Sequence, residues 1–144
     1  LSCDQCVVRD STIRSLQDTL LWSGRLYAED SLIEGNVDYI WGTGAVYFNR
    51  VEIKTVGCKG YNVLARNPQN GYGYAFIDSK LTADPGITGD VLARLDVAYP
   101  YSHVAYIAGE MVRTSRPPAS PSPAAAGCRA CASGSARAGR QEAP

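Results

Sequence analysis

Tyr27-Ala28-Glu29-Asp30-Ser31-Leu32-Ile33 is a phrase that recurs along this chain. Val8-Arg9-Asp10-Ser11-Thr12-Ile13 comes before it and Ala75-Phe76-Ile77-Asp78-Ser79-Lys80-Leu81 after it, with Val46-Tyr47-Phe48-Asn49-Arg50-Val51-Glu52-Ile53 as a looser copy. Each reads apolar, then a polar pair, then apolar again. Short β-branched and aromatic runs on either side of an Asp-Ser pair argue for a strand, a sharp turn and a second strand. The copies return after roughly 20–30 residues, a period that marks a stacked solenoid. In such a stack each phrase lies above the one before it.

The residues around these phrases agree. Tyr39-Ile40-Trp41, Tyr61 to Leu64, Val91-Leu92 and Val104 to Ile107 are further short apolar runs. Glu34-Gly35-Asn36, Asn67-Pro68-Gln69-Asn70-Gly71 and Ala83-Asp84-Pro85-Gly86 are turn signals between them. Helical periodicity is confined to a weak case at Ser15 to Leu21, so the chain reads as all-β. A sandwich of hairpins is the other all-β layout, but its strands usually run to about 5–6 residues with clear hairpin loops. The shorter strands and the repeat favour the solenoid.

Composition breaks near Thr114. From Ser115 to Pro144 there is no Val, Ile, Leu, Met, Phe, Tyr or Trp. Such a segment cannot bury enough apolar surface to offset the entropy of ordering it. The expectation is a β-solenoid domain over 1–112 and a disordered low-complexity tail over 113–144, the tail reading as a shifted frame in GC-rich coding sequence. The chain opens at Leu1, and Met111 is its one methionine; the solenoid is expected to be truncated. Fourteen basic residues balance fourteen acidic ones, which gives no global field to draw nucleic acid or an anionic membrane. No run approaches the ~20 apolar residues of a membrane span.

Five cysteines include two C-x-x-C pairs, Cys3/Cys6 and Cys128/Cys131. A four-thiolate zinc site would need both pairs in structured turns, and the second falls in the low-complexity segment. The cysteines are therefore read as core or surface thiols, with no metal. His103, the single histidine, lacks the G-x-S-x-G elbow that would accompany a serine nucleophile and reads as a surface or turn residue. Tyr61, Tyr72 and Tyr74 fit a sugar groove and ordinary strand packing equally well.

Chemistry concentrates at Asp18 and Asp38, twenty positions apart. A single Asp after Asn-Val would be read as a turn residue bonding its own backbone. Two, separated by about one coil, can meet on one face at the ~4.8 Å spacing of stacked strands. Like charges that close drive their pKa values apart, leaving one neutral acid and one ionised nucleophile.

Gln17-Asp18-Thr19-Leu20, Ser23-Gly24-Arg25 and Ile33-Glu34-Gly35-Asn36-Val37-Asp38-Tyr39-Ile40-Trp41-Gly42, taken in order, resemble the central signature of the pectin methylesterases, QDTL, SGR and IEGxVDFIFG. The resemblance runs from about residue 2 to residue 112. It implies a right-handed parallel β-helix and an esterase that removes methyl esters from galacturonate units of pectin. By position it makes Asp38 the nucleophile, Asp18 the general acid and then base, and Gln17 an oxyanion donor. Arg94, in Leu92-Ala93-Arg94, stands where the family's arginine holds the nucleophilic carboxylate. Trp22, Tyr39 and Trp41 become the expected substrate-binding aromatics. Leu21 replaces the family's tyrosine after QDTL, so Trp22 would supply that platform. Leu95 and Asp96 replace Pro-Trp after the arginine, with Tyr99 or Tyr101 as the substitute. The family's further oxyanion glutamine, one coil upstream, has no counterpart in this chain. The resemblance further implies a secreted protein, acting as a monomer on methylated polygalacturonate without a cofactor. The alternative is an inert β-helix fragment that at most binds polysaccharide.

Overall fold

The computed structural model describes residues 1–112, and among them it holds thirteen strands and no helix. Three strands make one coil, each on its own face. The first face carries β1 (Ser2–Arg9), the second half of β3 (Leu20–Glu29), β6 (Ala45–Asn49), β9 (Tyr74–Ile77) and β12 (Val104–Ile107). The second carries β2 (Thr12–Arg14), β4 (Leu32–Gly35), β7 (Glu52–Thr55), β10 (Lys80–Ala83) and β13 (Glu110–Met111). The third carries the first half of β3, then β5 (Val37–Gly42), β8 (Tyr61–Ala65) and β11 (Val91–Leu95). Every pairing is parallel. The described residues form an all-β parallel β-helix.

The repeated phrases are the corners between the first and second faces. Asp10, Asp30, Arg50 and Asp78 all sit in the left-handed region, at φ between 47 and 53°, and Ala108 takes the same place one coil later. Aspartate enters that region more readily than most residues because its short side chain can bond locally. The serine after it joins the coils. Ser31 Oγ donates to its own Glu29 carbonyl at 2.7 Å and accepts the Ser11 N–H of the preceding coil at 3.1 Å. Ser79 Oγ does the same for Ile77 and Val51, at 2.9 and 3.2 Å. Ser79→Ala would leave a buried Val51 N–H without its partner, so unfolding free energy should fall by about 1–3 kcal/mol. Urea denaturation would measure this, and a change below about 0.5 kcal/mol would remove the serine from the corner's energetics.

Inside, one residue of each strand stacks on its equivalent in the next coil. Ile13, Ile33, Ile53, Leu81 and Met111 are in register on the second face. Leu20, Ile40, Val63 and Ala93 are in register on the third. On the first face Phe48, Phe76 and Tyr106 stack with ring centroids 4.3 and 4.8 Å apart. Burial of such side chains, at about 1.5–3 kcal/mol each, dominates the stabilisation.

Two expectations change. Cys3 and Cys6 are bonded sulfur to sulfur, so they are not thiols: at this spacing β1 bulges between Asp4 and Cys6 and brings the two side chains together. Ser15 to Leu21 is not helical; Gln17 forms a parallel bridge with Val37 and Leu20 opens β3. The tail expected at 113–144, with Cys128 and Cys131, lies outside the described residues.

Candidate active site

The third face begins with an irregularity that decides what the site can do. Val37 pairs with Tyr61 and Ile40 with Val63, so β5 spends one more residue than β8 over the same distance. The coil below matches β5: Gln17 bridges Val37 and Leu20 pairs with Ile40. Asp18 and Asp38 therefore occupy equivalent positions of adjacent coils, and both are left-handed, at φ 47 and 49°. The Asp18 N–H donates to the Val37 carbonyl at 3.0 Å. Bulges re-aim side chains and are frequent beside active sites; this one takes the pair out of the in–out alternation of the strand.

The two carboxylates have different surroundings. Asp18 is exposed, and Gln17 Nε2 donates to its Oδ2 at 3.4 Å. Asp38 is 4% exposed. Arg94, two coils further along, donates from Nη2 to Asp38 Oδ2; the other oxygen, Oδ1, is buried without a hydrogen-bond partner among the described residues. Arg94 is in register with Leu64 and Trp41 on the third face. Its guanidinium lies 5.0 Å from the centre of the Tyr61 ring, which steadies it by a contact worth about 0.5–1 kcal/mol.

Arg94 does not bring the Asp38 carboxyl below the usual carboxylate range. Burial pushes the Asp38 carboxyl up, and it outweighs the Arg94 charge and hydrogen bond that pull it down; Asp18 adds a further push upward and Arg66 a pull downward. The reason is one-sided solvation. One oxygen is well paired, and the other has lost water without gaining a donor.

The aromatic residues divide. Trp22 and Tyr39 are both 0% exposed. Trp22 packs edge-on against Phe48 at 5.2 Å, and the Tyr39 hydroxyl lies 3.1 Å from Thr55 Oγ1 inside the helix. Both are core residues, and neither offers a face to a sugar. Trp22 follows the alternation of Leu20 and Leu21 inward, while the bulge turns Tyr39 in beside Ile40. Trp41 is half-buried beneath the Arg66 guanidinium, 5.4 Å from its ring centre. Among the tyrosines, Tyr74 is in the core, Tyr72 is exposed, and Tyr61 supports Arg94. His103 is exposed, and its carbonyl accepts the Tyr74 N–H. Arg66 and Tyr99, which face each other at 6.0 Å, complete the surroundings. Arg66 carries no motif of its own, and only the register of β5 and β8 would have pointed to it.

Fold and site together define a β-helix protein with an acidic pair at equivalent positions of successive coils and a guanidinium on the buried member. No protein-family model matches the chain. It is 36% identical over 101 residues to Pectinesterase B of Pectobacterium parmentieri, covering 67% of this chain and 25% of that protein. Over 80 residues it is 40% identical to Pectinesterase B of Dickeya dadantii (strain 3937), covering 52% of this chain and 18% of that one. The chain belongs to the pectinesterase family, and it spans a quarter or less of the length of these two relatives.

Proposed function

We propose that the chain carries the catalytic centre of a carboxylic ester hydrolase that removes methyl esters from C6 of galacturonate units in pectin and releases methanol. The observation that carries this reading is the placing of Asp18 and Asp38 at equivalent bulge positions of adjacent coils, one exposed and one buried on Arg94. The relatives named Pectinesterase B supply the substrate class.

In the proposed reaction the ionised Asp38 carboxylate attacks the ester carbonyl carbon, and the carbonyl oxygen becomes an oxyanion. Gln17 turns its amide from Asp18 toward that oxygen, a role worth about 3–4 kcal/mol for a well-placed donor. The C–O bond to the methoxy group then breaks, and Asp18 gives its proton to the departing oxygen to make methanol. An acyl anhydride between Asp38 and the sugar C6 remains. Asp18, now a carboxylate, takes a proton from water; the resulting hydroxide adds to C6 and expels the Asp38 carboxylate, leaving a galacturonic acid whose carboxyl proton passes to solvent. Arg94 keeps Asp38 oriented and charged against the cost of its burial. All of these roles fall to side chains, and the protein is read as secreted and monomeric.

Methanol release from highly methylated pectin tests the reading. Asp18→Asn should lower the rate about a hundredfold, the usual contribution of a positioned acid–base group. An unchanged rate would remove Asp18 from the mechanism, and no release by the folded, unsubstituted chain would leave the inert-fragment alternative standing.

A further inference from the structure

We infer that Arg66 is a carboxylate-binding residue of the substrate site, which recognises an already de-esterified galacturonate unit next to the one under attack. This inference rests on the esterase reading and adds a specificity to it.

Arginines elsewhere among the described residues have carboxylate partners. Arg25 forks onto Asp4, Arg50 reaches Asp30 and Glu29, Arg9 pairs with Glu29, Arg14 with Glu34, and Arg94 with Asp38. Arg66 has none among the described residues, and its Nε is buried without a hydrogen-bond partner. An arginine that only braces the fold would be expected to use its donors on a carbonyl or a carboxylate. Here the guanidinium is held by ring faces instead, Trp41 at 5.4 Å and Tyr99 at 6.0 Å. Ring faces hold a cation in place without neutralising it.

The backbone beneath is fixed from both neighbouring coils. The Arg66 N–H donates to the Gly42 carbonyl at 2.9 Å. Asn67, fully buried, donates from Nδ2 to the Gly44 carbonyl at 2.9 Å and from its own backbone N–H to Ser102 Oγ at 3.0 Å. The cation is thus preorganised, so little side-chain freedom remains to be lost when a ligand arrives. It is also near the reacting centre, since Trp41 beneath it is in register, through Leu64, with Arg94, and the Asp38 carboxylate is already engaged by that arginine. What remains for Arg66 is a carboxylate brought by the substrate. On a methylated polygalacturonate such groups are the units from which the ester has been removed. A planar fork of donors matches a carboxylate in two contacts, which lysine does not do.

The test compares kcat/KM for methanol release from fully and from partially methylated pectin, together with inhibition by trigalacturonate. In Arg66→Gln the preference for the partially methylated polymer should fall about tenfold or more, with trigalacturonate inhibition weakened by a similar factor, as expected for one charge-assisted contact. Arg66→Lys should fall between the two. An equal loss on both polymers, or unchanged inhibition, would overturn the inference. Direct calorimetric binding of trigalacturonate to folded protein separates the two readings. If the unsubstituted chain releases no methanol yet binds trigalacturonate more tightly than Arg66→Gln does, the carboxylate site stands and the esterase reading falls. Equal binding by both proteins overturns the site.

Discussion

Asp38→Asn is expected to abolish methanol release, by about three powers of ten or more, while leaving the protein at least as stable as before. The first half follows from the role. An amide does not form the acyl intermediate, and loss of a nucleophile is among the most damaging single changes an enzyme can undergo. The second half follows from the burial. Asp38 is 4% exposed, one of its oxygens has no donor, and its carboxyl is pushed up by desolvation. A carboxyl whose pKa rises on folding takes up protons in the native state between its ordinary value and the raised one. Stability is then fully present below the ordinary aspartate range and declines as pH rises through the raised value. At neutral pH the charged Asp38 is a cost to the fold, and a neutral amide of the same shape removes it. Arg94, 46% exposed, can return to water when its partner is gone. Thermal unfolding at neutral pH should therefore give a melting temperature equal to or above that of the unsubstituted chain, and the gap should close in acid. A melting temperature several degrees lower at neutral pH would mean that the Arg94 pair stabilises the fold more than burial opposes it. Residual methanol release within tenfold would remove Asp38 as nucleophile.

Much of this was open to reading from the residues alone, and the parts that were not have a common cause. Asp10, Asp30 and Asp78 with their following serines mark corners because a left-handed residue is needed there in every coil and a serine hydroxyl ties three of these corners to the strands around them; local demands leave local signatures. The spacing of Asp18 and Asp38 was legible for the same reason, since the first coils both take 20 residues. The fate of Trp22 and Tyr39 was not. Which way a strand residue points depends on register, and the extra residue between Val37 and Ile40 changes the parity on which such a reading relies. Arg66 and the Cys3–Cys6 bond are matters of proximity. The direction of the Asp38 shift depended on a balance between one arginine and near-complete burial, and sequence reveals the arginine more readily than the burial.

Arg94→Ala should lower kcat/KM somewhat over a hundredfold in acid and by less in mild alkali. Breaking a buried ion pair from one side typically costs about 3–5 kcal/mol. Arg94 is half exposed here, which argues for the lower part of that range, and about 3 kcal/mol corresponds to a factor of somewhat over a hundred. Two effects combine in that factor. The carboxylate loses the donor that orients it, which lowers the rate at every pH. It also loses the largest influence pulling its pKa down, so the carboxyl rises further and a smaller fraction is ionised on the acid side. Because the nucleophile must be ionised, the acid limb of the kcat/KM profile should move to higher pH in Arg94→Ala, and the loss should shrink as pH is raised. Arg94→Lys restores a charge without the planar guanidinium and should recover part of the limb's position but little of the orientation. The same change makes the fold more sensitive to alkali, since an unpaired buried carboxylate must then be ionised without help. A profile of unchanged shape, lowered uniformly, would confine Arg94 to orientation; a profile unchanged in both height and shape would separate it from Asp38 altogether.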